Sequence, residues 1–144
     1  MANHCDNPIQ RGKVVAVHLR TGAIDGAFSF YGSGPPRGGG VWTSAAGYGD
    51  GIFVTTGNTR RSGQPEPPDN HGLSFLRLDR ATGSIDWKWQ PVPYDLDFDP
   101  DWSAGATVMR ATCGDVAVST MKDGWTWALD AASGPPVRWG FPAG

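Results

Sequence analysis

The sequence lacks the features that mark several large classes of protein. It has two cysteines, Cys5 and Cys113, so a cysteine-based metal cluster is excluded, while a disulfide between them is open. No apolar run approaches the length of a membrane-spanning helix, and the amino terminus shows no charged stretch followed by an apolar one, so we expect neither a membrane span nor a signal peptide. The formal net charge is −2 and the charges are interspersed, so we expect no nucleic-acid partner.

The sequence also has few stretches of Ala, Leu, Glu or Lys long enough for a helix. It is instead rich in residues that form turns and strands, with 21 glycines, 12 prolines and seven tryptophans. Such a composition favours short strands joined by tight turns, and the length of 144 residues fits one domain over 1–144. We therefore predict an all-β fold.

A short hairpin pattern occurs three times in the chain. Each copy has an alternating apolar strand, a polar residue, a Thr-Gly or Ser-Gly turn and a second strand, and the turns end at Gly22, Gly83 and Gly134. A supersecondary unit that recurs at blade-sized spacing is typical of a modular β architecture.

The strands group into units of four. We expect strands at 13–19, 23–30, 41–47, 52–56, 73–79, 84–90, 105–110, 116–120, 125–130 and 137–141, which makes one half unit (13–30) and two four-stranded units (41–90 and 105–141). Because two and a half units cannot close a ring, the sequence predicts a partial β-propeller, a slice of a larger ring. A small open sandwich is the alternative. An unclosed series would leave flanks that self-associate, pair with missing upstream blades or bind hydrophobic dye.

The hairpins resemble the repeat of the pyrroloquinoline-quinone (PQQ) propellers. The middle copy fits throughout, with Asp79, the Thr82-Gly83 turn and Trp87. The Asp and Thr side chains would cap the turn, and the Trp ring would lie between neighbouring sheets. The first copy departs from the pattern, with His18 for Asp and Gly26 for Trp. The third has Ser133 for Thr and its tryptophan, Trp139, displaced by one residue, so we expect weaker contacts between blades at these copies.

Further segments are similar to the catalytic members, the quinoprotein alcohol dehydrogenases and the related polyvinyl-alcohol enzymes. Gly38-Gly39-Gly40-Val41-Trp42 resembles the segment whose indole forms the floor under the quinone; alternatively Trp42 is a core residue. Thr55-Thr56-Gly57-Asn58 resembles the segment whose amide oxygen binds calcium; alternatively it opens a loop.

The remaining two segments carry charge. The stretch 94–99 resembles the family's catalytic acidic motif, with Tyr94 in place of His and one Trp absent. The resemblance implies Asp97 as the general base beside calcium and Asp99 as the second catalytic carboxylate; the alternative is a solvated acidic loop. Lys122, in Lys-Asp-Gly-Trp, would point at the reactive quinone oxygens.

The resemblance implies part of a PQQ- and calcium-dependent dehydrogenase of a small alcohol or polyol, periplasmic or secreted. Because further contacts of such a site come from upstream blades, we expect weak or no quinone binding by this chain alone. The alternative is a non-catalytic propeller scaffold that binds other proteins, and a polysaccharide-binding sheet is a third possibility that only exposed aromatics would support. The convergence of Trp42, Asn58, Asp97 and Lys122 on one cleft would favour the enzyme.

Overall fold

The chain is described here from a computed structural model, in which residues 12–31, 39–58, 71–93 and 99–143 are placed. Within these ranges the secondary structure consists of strands and turns, without a helix. The strands are β1 (Lys13–Val17), β2 (Ile24–Tyr31), β3 (Ala46–Tyr48), β4 (Gly51–Thr55), β5 (Phe75–Asp79), β6 (Ile85–Trp89), β7 (Thr107–Ala111), β8 (Gly114–Thr120), β9 (Trp125–Asp130) and β10 (Gly134–Pro142).

The strands form three sheets in which each strand pairs with the next along the chain. Strands β1 and β2 form a hairpin, β3 to β6 form one four-stranded antiparallel sheet, and β7 to β10 form another. The all-β prediction is confirmed, and so is the prediction of consecutive four-stranded antiparallel sheets.

The strand predicted at 41–47 is mostly wrong, because β3 covers only Ala46–Tyr48. The segment before it is held in another way. The carbonyl of Gly40 accepts the N–H of Gly57 at 2.8 Å, and the N–H of Gly39 donates to the carbonyl of Asn58 at 3.0 Å. These bonds tie 39–40 to the residues after β4 outside the sheet ladder, and they draw Trp42 toward Asn58.

The middle sheet buries both of its faces, and alternate residues of its strands serve opposite clusters. Phe53 and Phe75 join Trp87 in a cluster shared with the β7–β10 sheet, which contributes Leu129 among others. Their neighbours point the other way, toward a cluster shared with the first hairpin, which contains Phe28, Phe30, Val54, Leu76 and Leu78. Since successive side chains of a strand point to opposite faces, the near-continuous apolar runs of β4 and β5 are what a sheet between two others requires.

Glycine turns fasten each sheet to the one before it. Gly83 has φ +77°, and a Cβ there would lie 2.8 Å from the carbonyl oxygen of Ser29 on β2. Gly134 has φ +72°, and a Cβ there would lie 2.6 Å from the ring of Trp87 on β6. Only glycine accepts both the left-handed conformation and the close approach. The three sheets are therefore joined by two equivalent turn-on-strand contacts.

Aspartates cap these two turns as the repeat pattern predicts. Asp79 Oδ1 accepts the N–H of Thr82 at 2.8 Å and its hydroxyl at 2.7 Å. In the third copy, Asp130 Oδ1 accepts the N–H of Ser133 at 2.9 Å and its hydroxyl at 3.0 Å, so serine replaces threonine without loss of a bond. Hydrogen bonds from Ser133 and from Arg138 hold the pKa of Asp130 well below its usual range.

Irregular strand pairing accompanies the differences of the first and third copies from the repeat pattern. Trp87 pairs with Arg77, two residues before Asp79, and Trp139 pairs with Ala128, two residues before Asp130. The irregularity between Gly134 and Trp139 thus returns Trp139 to the same place in the sheet.

In the first copy, the place against the next turn is taken by Ser29, which donates its N–H to the carbonyl of Thr82 at 3.1 Å. A register shift in the β1–β2 pair accompanies this difference. Gly26 is therefore not the counterpart of the repeat tryptophan, contrary to the prediction.

Candidate functional site

Trp42 contributes a partly exposed ring to the site. The side chain is 41% exposed, unlike Trp87 and Trp102, which are 7% and 0% exposed and belong to the core. The ammonium of Lys122 lies 5.2 Å from the centroid of the Trp42 ring, within the range of a cation–π contact. Trp42 therefore offers a flat surface with a positive charge above it.

Lys122 is positioned by the hairpin turn between β8 and β9 and by two carboxylates. Its Nζ lies 2.6 Å from Asp99 Oδ2 and 3.2 Å from Asp101 Oδ2. Partial burial by itself lowers the pKa of Lys122, but the hydrogen bonds and charges of the two carboxylates outweigh it and raise the pKa above its ordinary value. The ammonium is thus held charged and in one place.

Asp101 connects three segments of the site. Its Oδ1 accepts the backbone N–H of Asn58 at 2.7 Å, its Oδ2 receives Lys122, and its main-chain carbonyl accepts the N–H of Lys122 at 2.8 Å. The residue is 8% exposed. Burial and the nearby charge of Asp99 raise the pKa of Asp101 to about 6, even though Lys122 and the N–H of Asn58 oppose the rise.

Asn58 and Gly57 close the site on the side of β4. Asn58 is 6% exposed and follows β4 by three residues. A Cβ at Gly57 would lie 3.3 Å from Trp42 Nε1 and 3.4 Å from Asp101 Oδ1, so glycine allows the indole and the carboxylate to approach the same stretch of backbone.

The buried Trp102 holds the acidic segment in place from below. Its ring packs edge-on against Phe75 and Trp89, with centroids 5.3 and 6.1 Å away. Trp102 also forms a bridge to Met121, next to Lys122. Because Asp101 precedes this anchored residue, its carboxylate is fixed beside Lys122, while Asp99 reaches the same ammonium from a left-handed backbone conformation with φ 53°.

The structure thus brings together Trp42, Asn58, Asp99 and Lys122, four of the five residues predicted for the site. The fifth, Asp97, lies outside the described residues, as does Tyr94. Sequence reasoning misses Asp101 because the family-like motif ends at Asp99. The available signal was the position of Asp101 in the alternation Asp99-Pro100-Asp101, directly before a tryptophan.

The oxygen-bearing side chains of the site are of the type that binds a hard cation, but they are too few to complete a metal site. Among the residues that the structure describes, no three His, Cys, Asp or Glu side chains are grouped so as to hold a metal ion. The Asp99 and Asp101 carboxylates both contact Lys122, and Asn58 is joined to Asp101 through its backbone N–H; carboxylate and amide oxygens are the ligands that calcium prefers. Cys113 is exposed, and the question of a disulfide with Cys5 stays open because Cys5 is outside the described residues. No helix in the described part of the chain is long and apolar enough to cross a membrane.

Comparison with known proteins supports the fold. The chain superimposes on a europium-containing methanol dehydrogenase with a TM-score of 0.76 and 19% identity, over 92% of this chain and 30% of that one. It superimposes on the quinohemoprotein alcohol dehydrogenase of Comamonas testosteroni with a TM-score of 0.70 and 17% identity, over 92% of this chain and 25% of that one. It superimposes on the quinohemoprotein alcohol dehydrogenase ADHIIG of Pseudomonas putida HK5 with a TM-score of 0.74 and 19% identity, over 99% of this chain and 26% of that one.

These neighbours confirm the resemblance to the quinoprotein propellers at the level of the fold, and with it the partial β-propeller. The chain spans about a quarter to a third of the length of each neighbour. No protein-family model matches the chain, and no curated protein matches it.

Proposed function

We propose that this chain forms one side of the quinone and metal site of an alcohol or polyol dehydrogenase of the PQQ type. The observation that carries the proposal is the gathering of Trp42, Asn58, Asp99 and Lys122, which come from three separate segments, around the buried Asp101. A buried carboxylate that fixes a lysine above a partly exposed indole is the feature that favours this proposal over a non-catalytic scaffold.

The Trp42 ring and Lys122 fit a planar, negatively charged quinone. The exposed part of the indole supplies a stacking surface, and the ammonium, 5.2 Å from the ring centroid, supplies a positive charge next to a molecule bound there. Quinone bound here would accept a hydride from the alcohol carbon. The role of Lys122 is to stabilise negative charge at the quinone oxygens, and its raised pKa keeps it cationic for that task.

The carboxylates and the amide are assigned three further roles: metal binding, proton abstraction and positioning. Asn58 is proposed to give its amide oxygen to the metal, with Asp97 as a second ligand and as the base that takes the hydroxyl proton of the substrate. Asp99 is the second carboxylate near the base. Asp101 holds the backbone of Asn58 and the side chain of Lys122 at a fixed separation.

The proposed metal is calcium, and the proposed location is periplasmic or secreted. Because one structural neighbour is a europium-containing enzyme, a trivalent lanthanide is a reasonable second ion to test. The rest of the site is proposed to come from further blades, so this chain should bind quinone weakly. Such blades are the proposed protein partners.

The proposal is tested by equilibrium dialysis of PQQ against the chain with calcium, with europium and with a chelator. We expect metal-dependent binding with a dissociation constant of about 0.1–1 mM, and a loss of at least about tenfold in Trp42→Ala and Lys122→Ala. Trp139→Ala is the matched control, because Trp139 is 46% exposed and lies on β10, which supplies none of the proposed site residues.

Binding that is equal in the Trp42 and Trp139 variants would show that quinone adheres to exposed tryptophans in general. Absence of metal-dependent binding at millimolar quinone even when the chain is joined to its further blades would also contradict the site assignment, and the scaffold function would then be the better proposal.

A further inference from the structure

A short chain of hydroxyl groups links the Trp42 segment to the residues that precede β7. The hydroxyl oxygens of Thr43 and Thr55 lie 2.7 Å apart, and Thr55 Oγ1 donates to the carbonyl of Ala104 at 3.3 Å. Thr55 is the last residue of β4 and is 0% exposed. Its hydroxyl therefore joins two segments that lie 12 and 49 residues away from it in sequence.

The direction of these bonds follows from the number of available protons. A threonine hydroxyl carries one proton, and Thr55 uses its proton for the Ala104 carbonyl, so Thr43 is the donor between the two hydroxyls. The Ala104 carbonyl has a second lone pair, which accepts Ser119 Oγ at 2.9 Å. Each hydroxyl proton thus has an acceptor, and all three bonds lead to one carbonyl oxygen.

The segment that carries Ala104 is fixed to β8 close to Lys122. The N–H groups of Ser103 and Ala104 both donate to the carbonyl of Thr120, at 3.0 and 3.2 Å. Thr120 ends β8 and precedes Lys122 by two residues. A group bound to the Ala104 carbonyl is therefore held at a defined place relative to the turn that bears Lys122.

Backbone packing brings the same two segments into direct contact. A Cβ at Gly105 would lie 2.8 Å from the carbonyl oxygen of Ser44 and 3.2 Å from its nitrogen. Ser44 follows Trp42 by two residues. The close packing prevents a nearer approach of the two segments, and the hydrogen bonds of Thr55 oppose their separation. Together these contacts hold the segments at one distance.

We propose that Thr55 is a positioning residue that holds the Trp42 ring opposite Lys122. The inference rests on the proposed function, in which this ring and this ammonium, 5.2 Å from the ring centroid, contact the same quinone. The role differs from that of Asp101, which fixes Lys122 relative to the backbone of Asn58. Thr55 instead fixes the indole relative to β8, so that the stacking surface and the positive charge keep their separation.

The proposal is tested first without quinone, through the ring current of Trp42. Methylene protons of Lys122 that lie above the indole resonate upfield, and Trp42→Ala gives their position without the ring. Thr55→Val keeps the β-branched shape and removes the hydroxyl, so we expect it to lose much of this upfield shift. Thr55→Ser returns the hydroxyl and should recover the shift.

Two control variants remove neighbouring hydroxyls without breaking the link between the segments. Thr56→Val removes an equally buried hydroxyl, but its partners include the backbone of Ser74, on the β5 side. Ser119→Ala removes the second donor to the Ala104 carbonyl, while the backbone bonds of that segment to β8 remain. Both variants should keep the wild-type Lys122 shift, and urea unfolding of each shows that it is folded.

An unchanged Lys122 shift in Thr55→Val, or an equal loss in Thr55→Val and Thr56→Val, would overturn the positioning role whatever the chain binds. Titration of the same variants with PQQ and calcium then tests the connection to function, and Thr55→Val should bind quinone about three- to tenfold more weakly than wild type and Thr56→Val. Loss of the shift in Thr55→Val together with absence of quinone binding in every variant would support the positioning role and contradict the proposed function alone.

Discussion

Replacing Gly134 by alanine tests the contact that joins the two four-stranded sheets. The new Cβ would lie 2.6 Å from Trp87 Cδ2 and 2.7 Å from Cγ, closer than a carbon can approach. The indole cannot simply move aside, because it packs edge-on against Phe53 and Phe75 with centroids 5.9 and 5.7 Å away. The turn and the ring must therefore separate.

Two effects contribute to the expected cost. A side chain in the left-handed region costs about 1 kcal/mol, and overpacking of a well-packed contact costs about 1–3 kcal/mol. We therefore expect Gly134→Ala to lower the free energy of unfolding by about 3 kcal/mol. Gly49→Ala isolates the first effect, since its φ is +59° and its Cβ position is open, and should cost about 1 kcal/mol.

The assay is urea unfolding followed by tryptophan fluorescence, run at a concentration low enough to avoid association. A double-mutant cycle with Trp87→Ala adds a sharper criterion, because removal of the ring should abolish the steric part of the Gly134→Ala penalty. Equal losses for Gly134→Ala and Gly49→Ala, or additive effects in the cycle, would refute the turn-on-ring contact.

Two further predictions concern carboxylates. Asp101→Ala removes an acceptor from the N–H of Asn58 and a partner from Lys122, so it should lower the free energy of unfolding in urea by about 1–3 kcal/mol. Asp99→Ala, at a half-exposed side chain, should lower it by less than about 1 kcal/mol. Equal losses would contradict the connecting role of Asp101. Asp130 has a depressed pKa, so its stabilising effect is present above about pH 4 and is lost as the pH falls below that value. In thermal unfolding measured from about pH 6 down to pH 2, Asp130→Asn should reduce the fall in melting temperature. An unchanged fall would count against the stabilising role of the Asp130 carboxylate.

Much of the fold could be predicted because the repeat fixes it locally. The Asp-Thr-Gly and Asp-Ser-Gly turns contain their own caps, so Asp79 and Asp130 organise them without help from distant residues. The strand at 41–47 could not be predicted correctly, because Gly39 and Gly40 bond to the residues after β4. That pairing depends on how a loop closes, which strand propensity does not report.

The site could be predicted to the extent that each segment keeps its residues together. Trp42, Asn58 and Lys122 each lie in a short motif, and the fold then brings the three motifs into contact. Asp101 could not be found in this way. Its importance comes from burial and from partners 43 and 21 residues away in sequence, which only the packed structure supplies.

The most direct test of the account is a residue-resolved titration with PQQ and calcium. The seven tryptophans give separate indole N–H signals in a proton–nitrogen correlation spectrum, and substitution of Trp42 and of Trp139 assigns the two that matter. The account predicts that quinone shifts or broadens the Trp42 signal in a calcium-dependent manner and leaves the Trp139 signal unchanged. Equal perturbation of both signals, or a shift of the Trp139 signal alone, would contradict the assignment of a quinone site to this chain.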